Sequence, residues 1–376
     1  MNIKSEFVDG LRAEVRNLPL YNAGLSGEFV RNHYRVAEVA KLGSNENPFG
    51  TSPRVLSAIR DAVMDAALYP LSACDDLRLA LSEVHGIAPE RFAGGNGSED
   101  LIAISAHTFL SPGDEFVTMA PSFGLHVLHA QALGAIARAV RVREDYSVDM
   151  DGMIAAITTR TRMVIFSSPS NPTGNAITEE DMSRLLAAIP ADVMIVFDEA
   201  YFEYAIACGG SPRFLHMLET QCRGPWLMLR TFSKAYGLAG MRVGYGIASD
   251  PALVSLMNRI RSPFNVNRLA QIAAIAALKE GAFVAESVNR TILERERVRG
   301  KLTRMGFRAA PSLANFLFFD AREDASELAK RLLTYGVIVK PWREPGFEEH
   351  IRVSIGTPEA NDQFLAALSA TAGAHA

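Results

Sequence analysis

Val193-Met194-Ile195-Val196-Phe197 is apolar at every position and runs directly into Asp198-Glu199-Ala200-Tyr201. A strand with one face in water alternates apolar and polar residues; a strand apolar throughout is covered on both faces. Working outward, similar β-rich runs occur at 115–120, 136–142, 163–167, 226–231 and 243–248. Amphipathic helical patterns fill most of the intervals, at 98–110, 124–133, 150–157, 178–189 and 214–220. Strand and helix alternating through short connections predict an α/β fold: a large, doubly wound, mostly parallel sheet.

Beyond about residue 250 the texture changes. A long charged helix is expected near 282–305, then short strands at 315–319, 337–340 and 351–355, and a closing helix from Pro358. These predict a smaller α+β domain. The expected division is an N-terminal segment 1–43 packing with the small domain, a large ligand-binding domain 44–262 and a small domain 263–376. At about 150 residues per domain, 376 residues allow this division.

Composition excludes several classes. With 48% apolar and 21% charged residues the chain is an ordinary globular one. Lys and Arg total 38 against 42 Asp and Glu, a net charge of −4, so no basic surplus points to nucleic acid. The longest apolar stretch, Leu269–Leu278, is far short of the roughly 20 residues of a membrane span. No apolar run follows Lys4, so no secretory leader is expected. Three scattered cysteines, Cys74, Cys208 and Cys222, suit neither a disulfide framework nor a zinc site, and a reducing cytoplasmic setting is expected. His126 and His129 share a helical face, but no nearby acidic or cysteine cluster accompanies them, and no metal is expected.

Four segments carry chemistry. Gly95-Asn96-Gly97-Ser98-Glu99-Asp100 is a glycine-rich turn opening a helix, where free backbone N–H groups can meet a phosphate. Alone it also reads as a plain glycine loop with Ser98 as N-cap. Ser168-Pro169-Ser170-Asn171-Pro172-Thr173-Gly174 is a turn that puts Asn171 at a strand's C-terminal end, where open α/β sheets bind ligands. Thr178-Glu179-Glu180-Asp181 behind it resembles a capping box with Asp in the acidic position. Asp198 at the end of a buried strand needs a partner, either an internal donor or a ligand cation. Thr231-Phe232-Ser233-Lys234-Ala235-Tyr236-Gly237, with Arg242 beyond it, gathers hydroxyls and cations in a segment poor in charge. A desolvated lysine there becomes an amine nucleophile; a solvated surface lysine is the plainer reading.

In this order and spacing, the four segments resemble the fold-type-I family of pyridoxal-phosphate enzymes, the aspartate-aminotransferase-like group. The likeness runs from about Lys41 to Pro358. It is closest to the histidinol-phosphate aminotransferase branch through Lys41-Leu42-Gly43-Ser44-Asn45-Glu46-Asn47-Pro48-Phe49-Gly50, Tyr69-Pro70, Asp198-Glu199-Ala200-Tyr201 and Ile351-Arg352-Val353-Ser354-Ile355-Gly356.

The resemblance implies a role for each matching residue. Lys234 would join covalently to the aldehyde of pyridoxal 5'-phosphate and then carry protons. Asp198 would pair with the pyridine nitrogen, and Asn171 and Tyr201 would bond the phenolate oxygen. The cofactor phosphate would take the N–H groups of Ser98 and Glu99, the hydroxyls of Thr231 and Ser233, and Arg242. The Glu99 carboxylate would have to point elsewhere. Phe123, often tyrosine in relatives, would stack on the ring. Tyr69 would reach the phosphate of a neighbouring subunit, which implies a homodimer; Leu71 follows where relatives often carry aspartate. Arg352 would bind the carboxylate of glutamate or 2-oxoglutarate, or a substrate phosphate. Tyr21, its usual preceding proline displaced by Leu20, would reach that phosphate. Lys340 would replace a usual arginine there.

The implied activity is transamination between histidinol phosphate, or its keto form, and glutamate in histidine biosynthesis, with small-molecule partners alone: no nucleic acid, no membrane. Two enzyme alternatives share the scaffold: an aromatic amino-acid aminotransferase and a phosphothreonine-type decarboxylase. A cofactor-sensing regulator would need a DNA-binding domain, and residues 1–43 are too few and not basic enough to form one.

Overall fold

A computed structural model describes residues 10–372, so the first nine residues of the N-terminal segment and the last four of the chain lie outside the described part. The strand Met194–Asp198 is buried along its whole length. Its side chains divide by the two-residue period of a strand. Ile195 and Phe197 join one core with Val164, Phe166, Trp226 and Met228. Met194 and Val196 join the other with Met163, Ile165, Leu227 and Leu229. Both faces are therefore dry, as an all-apolar strand requires.

This strand is central in a seven-stranded sheet, with spatial order 92–95, 244–248, 226–231, 194–198, 161–167, 115–120, 136–141. Only Gly244–Ala248 runs against its neighbours; the other pairings are parallel. Helices 98–109, 124–132 and 251–257 cover one face. The other is covered by 53–62, 75–85, 150–155, 179–188, 214–221 and 268–278. The capping box at Thr178 forms as expected, with Asp181 closing it.

The smaller body is a four-stranded antiparallel sheet, ordered 340–341, 350–354, 316–320, 308–309. Its core takes residues from the long helix Gly281–Arg304 and from helices 325–333 and 358–372. Ala40–Lys41 pairs in parallel with Val337–Ile338 beside it.

Several elements differ from the sequence expectation. The strand expected at 337–340 is two: Val337–Ile338 pairs with Ala40–Lys41, and Lys340–Pro341 pairs with the strand at 350–354. Pro341 has no N–H to give a ladder, and it occupies an edge strand, where none is needed on the outer side. Phe92–Gly95 is a strand although half of it is glycine. The Cβ of an alanine at Gly94 would stand 2.7 Å from Cys74 Sγ, so close packing requires the glycine. The division expected at 262/263 cuts ahead of helix Arg268–Leu278, whose Ala270, Ala273, Ala274 and Ala277 belong to the large core. A helix apolar on most sides is a buried one. The N-terminal segment is likewise shared: Arg12 donates to the Ala132 carbonyl of the large body at 2.8 Å, whereas Ala40 and Leu42 enter the small core.

Asp198 and Glu199 leave the strand end in opposite directions. Glu199, 3% exposed, pairs with Arg230 at 2.9 Å, whose guanidinium lies 3.5 Å from the centre of the Phe202 ring. Removing one partner of a buried pair strands the other charge. Arg230→Met should lower unfolding stability by about 3–5 kcal/mol, and adding Glu199→Leu should recover part of the loss. Urea denaturation of both variants checks this; equal stability of the single and double variants would refute it.

Candidate active site

The C-terminal ends of the parallel strands open into a cavity of about 920 Å³. Every site residue expected from the sequence lines it except Tyr69.

At one end is an anion cradle. Gly97, with φ +76°, is the N-cap of helix Ser98–Phe109 and brings no side-chain cap. The first-turn N–H groups of Ser98 and Glu99 are thus left for a ligand. Ser98 is the first helical residue, not the cap. A Cβ at Gly97 would stand 2.6 Å from Arg242 Nη2, and one at Gly244 would stand 2.5 Å from Ser98 N. Arg242 itself adopts a left-handed backbone (φ 58°), a conformation found at binding sites more often than elsewhere. Thr231 Oγ1 accepts from Ser233 N at 3.1 Å, and both residues are buried. The Glu99 carboxylate sits 3.6 Å from Arg242 Nη2 and 3.7 Å from His129 Nε2. The neighbouring His129, and then Arg242, hold its proton affinity below the usual carboxylate range, against the effect of burial.

The middle holds Lys234, Asp198, Asn171 and Tyr201. Lys234 Nζ donates to the Ser44 carbonyl at 3.2 Å and forms no ion pair with a carboxylate among the described residues. Burial first, and then the charge of Arg352, lower its pKa to about 8. Asp198, 4% exposed, accepts from Ala200 N at 3.0 Å through Oδ1 and from His126 Nε2 at 3.1 Å through Oδ2. Tyr201 Oη accepts from Asn45 Nδ2 at 2.9 Å, and burial pushes its pKa to about 12. Asn171 Oδ1 accepts from Arg352 Nη1 at 2.7 Å. Arg352 also donates to the Gly43 carbonyl at 2.7 Å, while its buried Nε has no hydrogen-bond partner among the described residues.

The far end is aromatic and mixed in charge. Phe123 meets Tyr21 edge-on at 6.4 Å and His126 at 5.5 Å between ring centres. Lys340 Nζ donates to the Asn22 carbonyl and lies 5.8 Å from the Tyr21 ring. Burial, then Arg352 and Arg343, lower its pKa to about 8. Tyr69 stands outside this cavity, 79% exposed, stacked on Phe264 at 4.6 Å.

Sequence reasoning missed His126, Asn45, Trp342 and Glu344. His126 and His129 were visible as a helical pair, yet each goes to a different carboxylate, Asp198 and Glu99. Asn45 lay inside the Gly43-Ser44-Asn45-Glu46-Asn47 stretch without a role. Trp342 and Glu344 sit on a loop with no motif around them.

Residues 37–368 match the family model described as aminotransferase class I and II. The chain is 44% identical over 365 residues to histidinol-phosphate aminotransferase 1 of Mesorhizobium japonicum, covering 97% of this chain and 99% of that one. It is 46% identical over 358 residues to histidinol-phosphate aminotransferase 3 of Rhizobium meliloti, covering 95% and 96%. The crystal structure of histidinol-phosphate aminotransferase from Sinorhizobium meliloti in complex with pyridoxal-5'-phosphate is similar at a TM-score of 0.88 and 28% identity, over 98% of each chain.

The lowered proton affinity of Lys234 makes a direct expectation. Its amine becomes free above about pH 8, whereas exposed lysines need a pH near 10.4. Competitive reductive methylation of the cofactor-free chain, read by mass spectrometry, should give Lys234 the earlier midpoint. A midpoint matching that of surface lysines would contradict the geometry.

Proposed function

The chain belongs to the aminotransferase class I and II family, and from that premise we propose that it transfers an amino group between histidinol phosphate, or its keto form imidazole acetol phosphate, and glutamate or 2-oxoglutarate, in histidine biosynthesis. It is a pyridoxal-phosphate-dependent aminotransferase. One observation carries the reading: a lysine amine, a buried carboxylate and an uncapped helix N-terminus under an arginine face a single cavity.

That donor set fits pyridoxal 5'-phosphate. Ser98 and Glu99 N–H, Thr231, Ser233 and Arg242 would hold the phosphate, Asp198 the ring nitrogen, and Asn171 with Tyr201 the phenolate oxygen. Phe123 would cover the ring and Lys234 would make the covalent link. When bound, the group supplies an electron sink for the bond broken at the substrate Cα. The chain's own residues do the rest. Lys234, whose amine loses its proton above about pH 8, far below an exposed lysine, takes the Cα proton and returns it. Asp198, fixed by Ala200 N and His126, keeps a proton on the ring nitrogen. Arg352, with two donors engaged and a buried Nε left over, offers a planar fork to a carboxylate or phosphate. Histidinol phosphate has no carboxylate, so its phosphate takes that place, with Tyr21 and Lys340 beside it.

We place the enzyme in the cytoplasm as a homodimer. No helix among the described residues is long and apolar enough to cross a membrane. Val63, Met64, Leu68, Tyr69 and Leu71 are exposed apolar side chains, joined by Ile260 and Phe264 through the Tyr69–Phe264 stack. Exposed apolar patches of this kind mark protein contacts. Tyr69, outside its own cavity, would then complete the partner's cradle.

Steady-state kinetics with histidinol phosphate, phenylalanine and tyrosine, each against 2-oxoglutarate, should favour histidinol phosphate, and Lys234→Ala should remove all turnover. Lys340→Ala should weaken histidinol phosphate by about 1–3 kcal/mol, the worth of one charge-assisted contact, and leave phenylalanine unchanged. A wild-type preference for phenylalanine would make this an aromatic aminotransferase. Sedimentation should show a dimer, with cofactor affinity reduced in Tyr69→Phe; a fully active monomer would refute the shared site.

A further inference from the structure

Glu344 lies on the small-body loop between Lys340–Pro341 and His350–Ser354, and its Oε2 accepts two N–H groups. One is the Trp342 indole at 3.0 Å, on the same loop. The other is the backbone N–H of Ser122 at 3.1 Å, across the cleft in the large body. The Trp342 contact makes the carboxylate rigid: Trp342 is buried against Phe318 in a small aromatic core that includes Phe347. Ser122 follows the end of strand Glu115–Ala120 and precedes helix Gly124–Ala132, so its N–H has no place in a ladder or in the helix. A carboxylate there also lies near a helix N-terminus, where negative charge is favoured.

The turn so fixed leads inward. Ser122 Oγ is 3.3 Å from His126 Nδ1, and His126 Nε2 is 3.1 Å from Asp198 Oδ2. When Ser122 O–H donates to Nδ1, the ring proton stays on Nε2 and points at Asp198. The next residue, Phe123, forms one wall of the cavity.

We propose that Glu344 is a positioning residue: from the small body it locks the Ser122–Phe123 turn, so that Phe123 is held over the cofactor ring and His126 is held against Asp198. The inference rests on the cofactor placement given above and not on the identity of the amino donor. Lys340 and Arg352, the expected substrate-anion residues, are on the two strands that flank the same loop. The loop therefore joins substrate capture to the alignment of the ring-nitrogen partner.

The test compares wild type, Glu344→Gln, Glu344→Ala and Ser122→Ala, each titrated with pyridoxal 5'-phosphate. Cofactor affinity, the circular dichroism of the bound cofactor and steady-state kinetics are the readouts. Glu344→Ala should lower kcat by about tenfold with KM within about twofold, the loss of one charge-assisted bond felt in the transition state alone. It should also weaken cofactor binding and change the dichroism band, which reports ring orientation. Glu344→Gln keeps an acceptor oxygen and should restore all three. Ser122→Ala keeps the backbone N–H but loses the hydroxyl, and should alter the dichroism with the turn itself intact. Glu344→Gln as impaired as Glu344→Ala would overturn the proposal. So would a Glu344→Ala variant with raised KM and unchanged dichroism, which would make Glu344 a substrate contact. A wild-type chain that takes up no cofactor would overturn the placement on which the proposal rests, before any variant is made.

Discussion

Asp198 ends a strand whose four preceding residues are at most 1% exposed, and its carboxylate is almost as deeply buried. A carboxylate in that position costs several kcal/mol unless its oxygens are occupied. One oxygen takes Ala200 N–H and the other His126. Helix Gly124–Ala132 must therefore lie where His126 can reach the strand end, and that fixes the turn carrying Ser122 and Phe123. The neighbouring Glu199 meets the same demand on the opposite side with Arg230. Strand alternation is what allows two successive carboxylates at one strand end to avoid each other.

The small body closes the site by equally specific bonds. Ser354 Oγ donates to Asn45 Oδ1 and accepts Asn45 N–H, both at 2.7 Å; Asn45 Nδ2 then donates to Tyr201. Arg352, on the same strand as Ser354, reaches Asn171 on the large body. Tyr201 and Asn171, both expected at the phenolate oxygen, are thus positioned by residues of the small-body strand 350–354. Residues nearly 200 positions apart in sequence form one cavity wall because the sheet ends converge there.

The large sheet was legible because several of its strands, Met194–Asp198 above all, are apolar almost throughout and most of its helices carry amphipathic spacing. Gly97, Asn171, Asp198, Lys234 and Arg242 were legible because their segments, each open to a plain structural reading alone, follow one another in an order and spacing that resemble a known family. What escaped was set by packing. Phe92–Gly95 has half its residues as glycine, and only the crowding of Cys74 and Leu101 explains them. Helix Arg268–Leu278 has no polar face to announce it. His126 and Glu344 are ordinary residues until tertiary contact puts one on Asp198 and the other on Ser122; neither spacing nor propensity encodes such meetings.

The charges in the cavity explain why these contacts matter together. Burial, together with the charge of Arg352, lowers the proton affinity of both Lys234 and Lys340 to about pKa 8, and burial lowers that of Arg352 as well. Against these cations, Arg242 and Arg343, the cavity supplies Asp198, Glu99, Glu344 and Glu46, the last paired with Lys41 at 2.7 Å. Glu99 is spent on Arg242 and His129, Glu344 on two N–H groups, and Asp198 on His126 and Ala200. Among the described residues, no carboxylate forms an ion pair with Lys234, Lys340 or Arg352, and Glu46 and Asp198 offset the charge at Lys234 only in part. Such a cavity is built for incoming anions. A phosphate at the helix N-terminus and an anionic substrate at Arg352, the placement proposed above, would supply negative charge at opposite ends of a site whose middle holds a lysine of lowered proton affinity.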